Sequence, residues 1–332
     1  NTLGVFMMGK DQLNACNKIL VTGASGFLGS ALVDRLASRE GAAVLAMLRS
    51  EHAFSSPNVE PLYADLDNLS SRALSLAGVD AIVHCAARVH VMDDGSSDPL
   101  TAYRKINVQA TLELANQAVL AGVKRFIFIS SIKVNGEATA PGKPYTPDDL
   151  PAPLDPYGVS KMEAEEQLKL LAAASNLDVV IIRPVLVYGP GVKANFHSMM
   201  RWLNKGLPLP LGGVRNQRSL VALDNLVDLI VTCLNHPAAV NQTFLVSDGE
   251  DMSTTQLLKR MGIALSRRAR LVPVPAAVLL TCASVLGRRG VAQRLCGSLQ
   301  VDIKKTQDLL GWSPPMSVED SLRKTAEAFK KA

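Results

Sequence analysis

Cysteine is scarce in this 332-residue chain: five copies, Cys16, Cys85, Cys233, Cys282 and Cys296, are scattered with no C-x-x-C pair. That spacing argues against a disulfide framework and against a zinc site, and it fits a reducing cytoplasm. Aromatic residues make up 5% of the chain. No basic stretch is interleaved with them, so the stacking platform of a single-strand nucleic-acid binder is missing and no nucleic-acid partner is expected. The formal charge of +5 is modest for this length, compatible with a small anionic ligand. No apolar run reaches the roughly 20 residues that span a bilayer. The longest, Leu271 to Leu286, is broken by Pro273 and Pro275. A buried or lobe-packing helix is expected there, with a membrane-surface contact beside Arg288 and Arg289 as the alternative. Residues 1–17 have neither helical nor strand period nor the pattern of a signal peptide, and are read as a flexible leader.

What is present is a globular composition, 48% hydrophobic and 20% charged, enough for one large or two medium domains. The apolar run Ile19 to Val21 leads into Gly23, Gly26 and Gly29, and a helical pattern through Leu28, Leu32, Val33 and Leu36 follows. Strand, glycine turn and helix N-terminus together make a phosphate cradle. Apolar strand signals then recur at Ala43–Leu48, Val59–Ala64, Asp80–Cys85, Arg125–Ile129 and Val179–Arg183. Helical patterns at Ala102–Ala121 and about 155–174 separate the later strands. This rhythm predicts an α/β fold, a doubly wound parallel Rossmann sheet over residues 18–190. Beyond Tyr188-Gly-Pro-Gly191 the pattern becomes mixed, and residues 191–332 read as a smaller α/β substrate lobe, with about 214–246 packing back on the first domain. Asp224 is the expected N-cap of a helix ending at Asn235.

The second constellation is Tyr157-Gly-Val-Ser-Lys161. A spacing of four puts phenol and ammonium on one helical face. A nearby ammonium stabilises the phenolate, so the tyrosine is expected to exchange a proton closer to neutrality. Ser130 and Ser131 stand at the end of the preceding strand, where a hydroxyl can share the same substrate oxygen.

Thr22-Gly-x-x-Gly-x-x-Gly29, Asp65-Leu66, His84-Cys-Ala-Ala87, Asn107, Ser130-Ser131, Tyr157-x-x-x-Lys161, Arg183-Pro184 and Tyr188-Gly-Pro-Gly191 fall in one order. In that order the chain resembles the extended short-chain dehydrogenase/reductases, in their NAD-dependent epimerase/dehydratase branch of nucleotide-sugar enzymes. The resemblance implies catalysis by Ser131, Tyr157 and Lys161. It implies a cofactor site of Gly23, Ser25, Gly26, Phe27, Leu28 and Gly29, with Asp65 and Leu66 at the adenine. Ala86, Ala87 and Pro184 would line the nicotinamide side, where Tyr157 and Lys161 also reach. Arg88, Ser131, Lys133, Asn195, Phe196 and Arg218 would face the substrate, Arg218 on a diphosphate, with Arg294 as a second candidate. Where the family usually reads Val-Tyr-Gly this chain has Val134-Asn135-Gly136, which alters the pocket wall. A homodimer through a four-helix bundle is a family expectation.

Arg49, about 20 residues past the glycine turn, stands where an NAD site usually has an acid for the ribose hydroxyl; an arginine suits the 2′-phosphate of NADP. The expected reaction is therefore NADPH-dependent reduction at C4 of a UDP-4-keto-sugar, with a UDP-hexose 4-epimerase retaining NAD as the alternative. A 4,6-dehydratase would carry an acidic pair after Ser131, and Ile132-Lys133 has none. A cofactor-binding scaffold would have no use for Ser131, Tyr157 and Lys161 together. His84 is expected to be structural, and Asp93, Asp94 and Asp98 solvated. His90, with Arg88, is expected near the sugar, and His197 divides evenly between substrate and surface. Glu163, Glu165 and Glu166 are expected on the exposed face of their helix.

Overall fold

The computed structural model describes residues 16–331 apart from residues 55, 72, 90–97, 141 and 288. The expectations placed on the first fifteen residues, on His90, Asp93 and Asp94, and on Arg288 lie outside that set. The first half of the chain runs β1 (Lys18–Thr22), α1 (Phe27–Ala37), β2 (Ala43–Leu48), β3 (Val59–Tyr63) and β4 (Ala81–His84). It continues through α2 (Pro99–Arg104), a π-helical stretch (Lys105–Ala110), α3 (Thr111–Leu120), β5 (Arg125–Ile129), α4 (Pro156–Ala174) and β6 (Asp178–Pro184). The second half holds β7 (Leu186–Tyr188), α5 (Ala194–Asn204), β8 (Leu220–Ala222), α6 (Leu223–Asn235) and β9 (Thr243–Val246). Then come α7 (Thr254–Ala264), α8 (Ala276–Val285), α9 (Arg289–Cys296), α10 (Lys304–Leu310) and α11 (Val318–Lys331).

Seven strands form one parallel sheet in the order β3-β2-β1-β4-β5-β6-β9. Parallel strands covered on both faces are apolar throughout, and β1 shows why: Ile19 and Val21 enter one core while Leu20 enters the other. Leu32, Val33 and Leu36 of α1 and Leu226, Leu229 and Ile230 of α6 cover the first face. Leu114, Ala115 and Ala118 of α3, with Ala164 and Leu168 of α4, cover the second. Each large side chain so buried contributes about 1.5–3 kcal/mol. The expected sheet is thus present, and β9, from the second half, adds a seventh strand beside β6. A separate core of Tyr188, Phe196, Met200, Leu203, Leu258, Met261 and Leu322 holds the smaller lobe with its two-stranded β7-β8 sheet.

Four details differ from the sequence reading. Cys16 is buried and Asn17 accepts the Ala43 N–H, so the fold begins before residue 18. The expected helix Ala102–Ala121 is interrupted by the π turn, because Asn107 is drawn inward to the Arg88 backbone and to Ser160 Oγ (3.0 Å). Asp224 is not the cap of α6; Ala222 occupies that position, and Asp224 sits in the first turn, paired with Lys324 at 2.7 Å. Helix α8 has no buried residue, so of the expected buried or lobe-packing helix the buried form is not found: it packs on α9, and its root bridges to Leu209 and Gly213.

His84 is structural, as expected. Its ring bridges Thr22 Oγ1 (2.7 Å) on β1 and Thr111 Oγ1 (2.9 Å) on α3, fully buried. Burial, reinforced by the Lys161 charge, pushes its pKa down to about 3. Unfolding restores an ordinary value near 6.5, so the unfolded chain binds the extra proton and stability falls as pH drops below 6.5. Urea denaturation between pH 6.5 and 5 is expected to show this as a loss approaching about 1.4 kcal/mol per pH unit, and His84→Asn is expected to flatten the slope.

Candidate active site

The carboxyl ends of β1, β4, β5 and β6 converge where the strand order reverses between β1 and β4, the crevice in which open α/β sheets bind ligands. Gly23 turns there with φ +66°, a conformation side chains rarely adopt, and a Cβ on it would meet the Ala86 nitrogen at 2.9 Å. A Cβ on Gly29 would stand 2.0 Å from the Gly23 carbonyl oxygen. The Gly26 N–H donates to that same oxygen (2.9 Å), closing the turn into α1. Helix α1 has neither a side-chain cap nor an acid in its first turn. Its first N–H groups, which no carbonyl of the helix can accept, are left for an anion. Ser25 and Gly26 are exposed there, with Phe27 and Leu28 partly so. This cradle fits a dinucleotide pyrophosphate.

Around it, the other expected cofactor residues fall at strand ends. Ala86 donates its N–H to Thr22 Oγ1 (3.2 Å), and Ala87 follows it. Asp65, beyond β3, accepts the Asp67 N–H where Leu66 opens a 3-10 turn. Pro184 closes β6, in register with Val246. Arg49 is exposed at the end of β2.

Helix α4 carries both residues of the expected tyrosine–lysine pair. Asp155 caps it, accepting the Gly158 N–H at 2.7 Å, and Pro156 occupies its first turn. One turn after Tyr157, Lys161 reaches the end of β5, and the ring of Tyr103 meets Tyr157 edge-on at 6.0 Å. The Arg88 guanidinium lies over Tyr103, 5.8 Å from its centroid. Lys161 is buried; its Nζ donates to the Ile129 carbonyl oxygen (2.7 Å) and sits 4.2 Å above the Phe128 ring. Burial pushes the lysine down to about 7, against the opposing pull of Glu165. Burial, with Asp155 and Tyr103 adding to it, pushes the Tyr157 phenol up to about 12. The expected lowering of the phenol by Lys161 is therefore not seen. The ammonium is turned to a strand carbonyl, and desolvation outweighs the i,i+4 attraction.

The expected substrate residues separate into groups. Ser131 starts the turn after β5, its Oγ accepting the Lys133 N–H (3.2 Å). Lys133 is paired with Asp155 and with Glu137 at 3.0 Å, so its charge ties this turn to the cap of α4. Arg218 donates to the carbonyl oxygens of Arg294 (2.7 Å) and Gly297 (3.2 Å), which joins the two expected phosphate arginines through backbone. Asn195 is exposed, whereas the Phe196 ring is buried in a stack on Tyr188. Only the backbone of Phe196 is left to meet a ligand. His197 stands edge-on to Phe329 at 5.3 Å, and Asp98 caps α2.

Sequence reasoning missed the buried network behind this site. Glu165 is not on the exposed face: it pairs with Arg183 (2.6 Å) and accepts from Ser130 Oγ (2.5 Å), with both charged side chains 2% exposed. Arg183 also donates to Asn135 Oδ1 (2.9 Å), at the position that departs from Val-Tyr-Gly. The signal was available, since 157, 161 and 165 repeat at one helical spacing.

A doubly wound sheet with a glycine-turn anion cradle and this tyrosine–lysine helix face defines an extended short-chain dehydrogenase/reductase. The chain belongs to the NAD dependent epimerase/dehydratase family, whose model matches residues 19–247. It is 48% identical over 316 residues to a UDP-glucose 4-epimerase of Vibrio cholerae, covering 95% of this chain and 96% of that protein. It is 26% identical over 315 residues to a GDP-6-deoxy-D-mannose reductase of Pseudomonas aeruginosa, covering 92% and 95%. Among solved structures, MoeE5 in complex with UDP-glucose and NAD superposes with a TM-score of 0.71 at 27% identity, covering 95% of this chain and 99% of that one.

Two substitutions test the site. Tyr157→Phe is expected to lower turnover roughly a hundred- to ten-thousandfold, the usual worth of a positioned acid/base, with the fold intact by circular dichroism. Glu165→Gln, which leaves the Arg183 charge buried without its counter-charge, is expected to cost about 3–5 kcal/mol in urea unfolding.

Proposed function

We propose that this protein is a nucleotide-sugar 4-epimerase that inverts the C4 hydroxyl of a UDP-hexose or UDP-N-acetylhexosamine. The observation that carries the reading is the 48% identity to the Vibrio cholerae UDP-glucose 4-epimerase over nearly both whole chains, together with intact Ser131, Tyr157 and Lys161. A nicotinamide dinucleotide, when bound on the glycine cradle, supplies the place where the C4 hydride is held. The chain supplies the rest. Tyr157 takes the C4 hydroxyl proton and gives it back, and Ser131 hydrogen-bonds the same oxygen as its charge develops. Lys161, one turn on along the same helix, would have to turn from the Ile129 carbonyl oxygen to support the phenolate as it forms. Arg218 is the cation assigned to the diphosphate, with Arg88 toward the sugar.

A second reading, reduction of a UDP-4-keto-sugar by NADPH, is favoured by Arg49. It is exposed at the β2 end where a 2′-phosphate would sit, and the resemblance to the Pseudomonas reductase agrees with it. Both readings use the same Tyr157 chemistry and differ in whether the cofactor leaves.

The purified protein separates them. Epimerisation predicts NAD that copurifies and interconversion of UDP-glucose with UDP-galactose, or of their N-acetyl counterparts, with no added cofactor. NADPH consumption that requires a UDP-4-keto-sugar, with no interconversion, would replace the first reading by the second.

A further inference from the structure

Helix α8 is apolar on all sides and buries none of its residues. Val278 is 49% exposed, Val285 84%, Leu286 74% and Val272, just before the helix, 46%. A helix that is apolar all round belongs in a core or in lipid, and among the described residues the main packing partner of this one is α9. Its root is firm. Leu271 and Pro275 bridge to Leu209 and Gly213, and a Cβ on Gly213 would come within 2.6 Å of the Val274 carbonyl oxygen. The strand-like segment that carries α8 is therefore seated against the lobe, and the exposed apolar face is held at a fixed place.

The charge along the flanking sequence has one sign. Residues 252–301 contain eight Lys and Arg and no Asp or Glu. That exceeds the +5 of the entire chain, so the remainder is net negative. Arg267, Arg268 and Arg270 precede α8 and are exposed, and Arg294 follows it, also exposed. Arg260 is ion-paired, with Glu250 and Glu319. By contrast, Arg267 reaches the Asn204 amide oxygen and Arg294 a backbone carbonyl, neither of which neutralises charge.

We propose that α8 with its flanking arginines is a docking surface for an anionic lipid bilayer. Ten residues make a helix about 15 Å long, half the hydrocarbon thickness. Among the described residues no helix is long and apolar enough to cross a membrane. The helix therefore lies in the interface, with its valines and leucines among acyl chains and the arginines at headgroup level. Each basic side chain near an anionic leaflet strengthens the attachment about fivefold. The charge selects this occupant over a second copy of the chain: a two-fold contact through α8 would set arginine against arginine, at a cost.

The test is cosedimentation of the full chain with phosphatidylcholine vesicles, with and without one-third phosphatidylglycerol. Binding is expected on the anionic vesicles alone and is expected to fall at least about tenfold at high salt, as headgroup attraction is screened. Val285→Asp and the pair Arg267→Glu, Arg268→Glu are each expected to abolish it while leaving thermal unfolding unchanged, since all three side chains are exposed. Absence of binding, or equal binding to neutral vesicles, would overturn the proposal. So would a dimer that Val285→Asp dissociates in the absence of vesicle binding.

Discussion

A buried ion pair, Arg183 with Glu165, joins the three elements on which the candidate active site rests. Arg183 belongs to β6, Glu165 to α4, and Ser130 at the end of β5 donates to the same carboxylate. The loop before α4 is held by the same guanidinium through Asn135 and the Pro147 carbonyl oxygen. Desolvating two charges is costly, and only several hydrogen bonds of good geometry offset it. Those bonds are satisfied by groups from four segments, so moving any one leaves a buried charge short of partners. The result is that Tyr157 and Lys161, two turns and one turn earlier on α4, have little freedom relative to the neighbouring strand ends.

Two further ties act in the same direction. Asp155 caps α4 while pairing with Lys133, which fixes the turn carrying Ser131 to the helix carrying Tyr157. The π turn at Lys105–Ala110 lets Asn107 grip the backbone of Arg88 and the side chain of Ser160 together. A regular helix would have placed that amide elsewhere. Local irregularity at this point joins the segment after β4 to α4, and Arg88 is held over Tyr103 beside the phenol.

Much of this was legible in the residues. The parallel sheet could be read because its strands are near-continuous apolar runs separated by helical patterns, and the glycine turn because only glycine tolerates the Gly23–Ala86 and Gly23–Gly29 approaches. Several site features were not. Early-turn acids usually face solvent, which hides the burial of Glu165, although its spacing of four from Lys161 sets it on the face shared by Tyr157 and Lys161. The fates of Lys133 and Phe196 depend on partners far away or across a lobe, Asp155 and Tyr188, and spacing within a motif cannot report those. The proton affinities depend on burial, which reversed the expected direction for Tyr157. For α8 hydrophobicity could not separate burial from packing at a lobe surface: it predicts that a segment avoids water, and says nothing of what shields it.

The central claim is that this site moves hydrogen at C4 of a nucleotide sugar without exposing it to water. The most direct measurement is mass spectrometry of UDP-hexose recovered after incubating the protein with UDP-glucose carrying deuterium at C4. Retention of the label at C4 in both epimers is the predicted result, because a hydride held by the site does not exchange with solvent. Loss of the label to water as the epimers form would contradict the account.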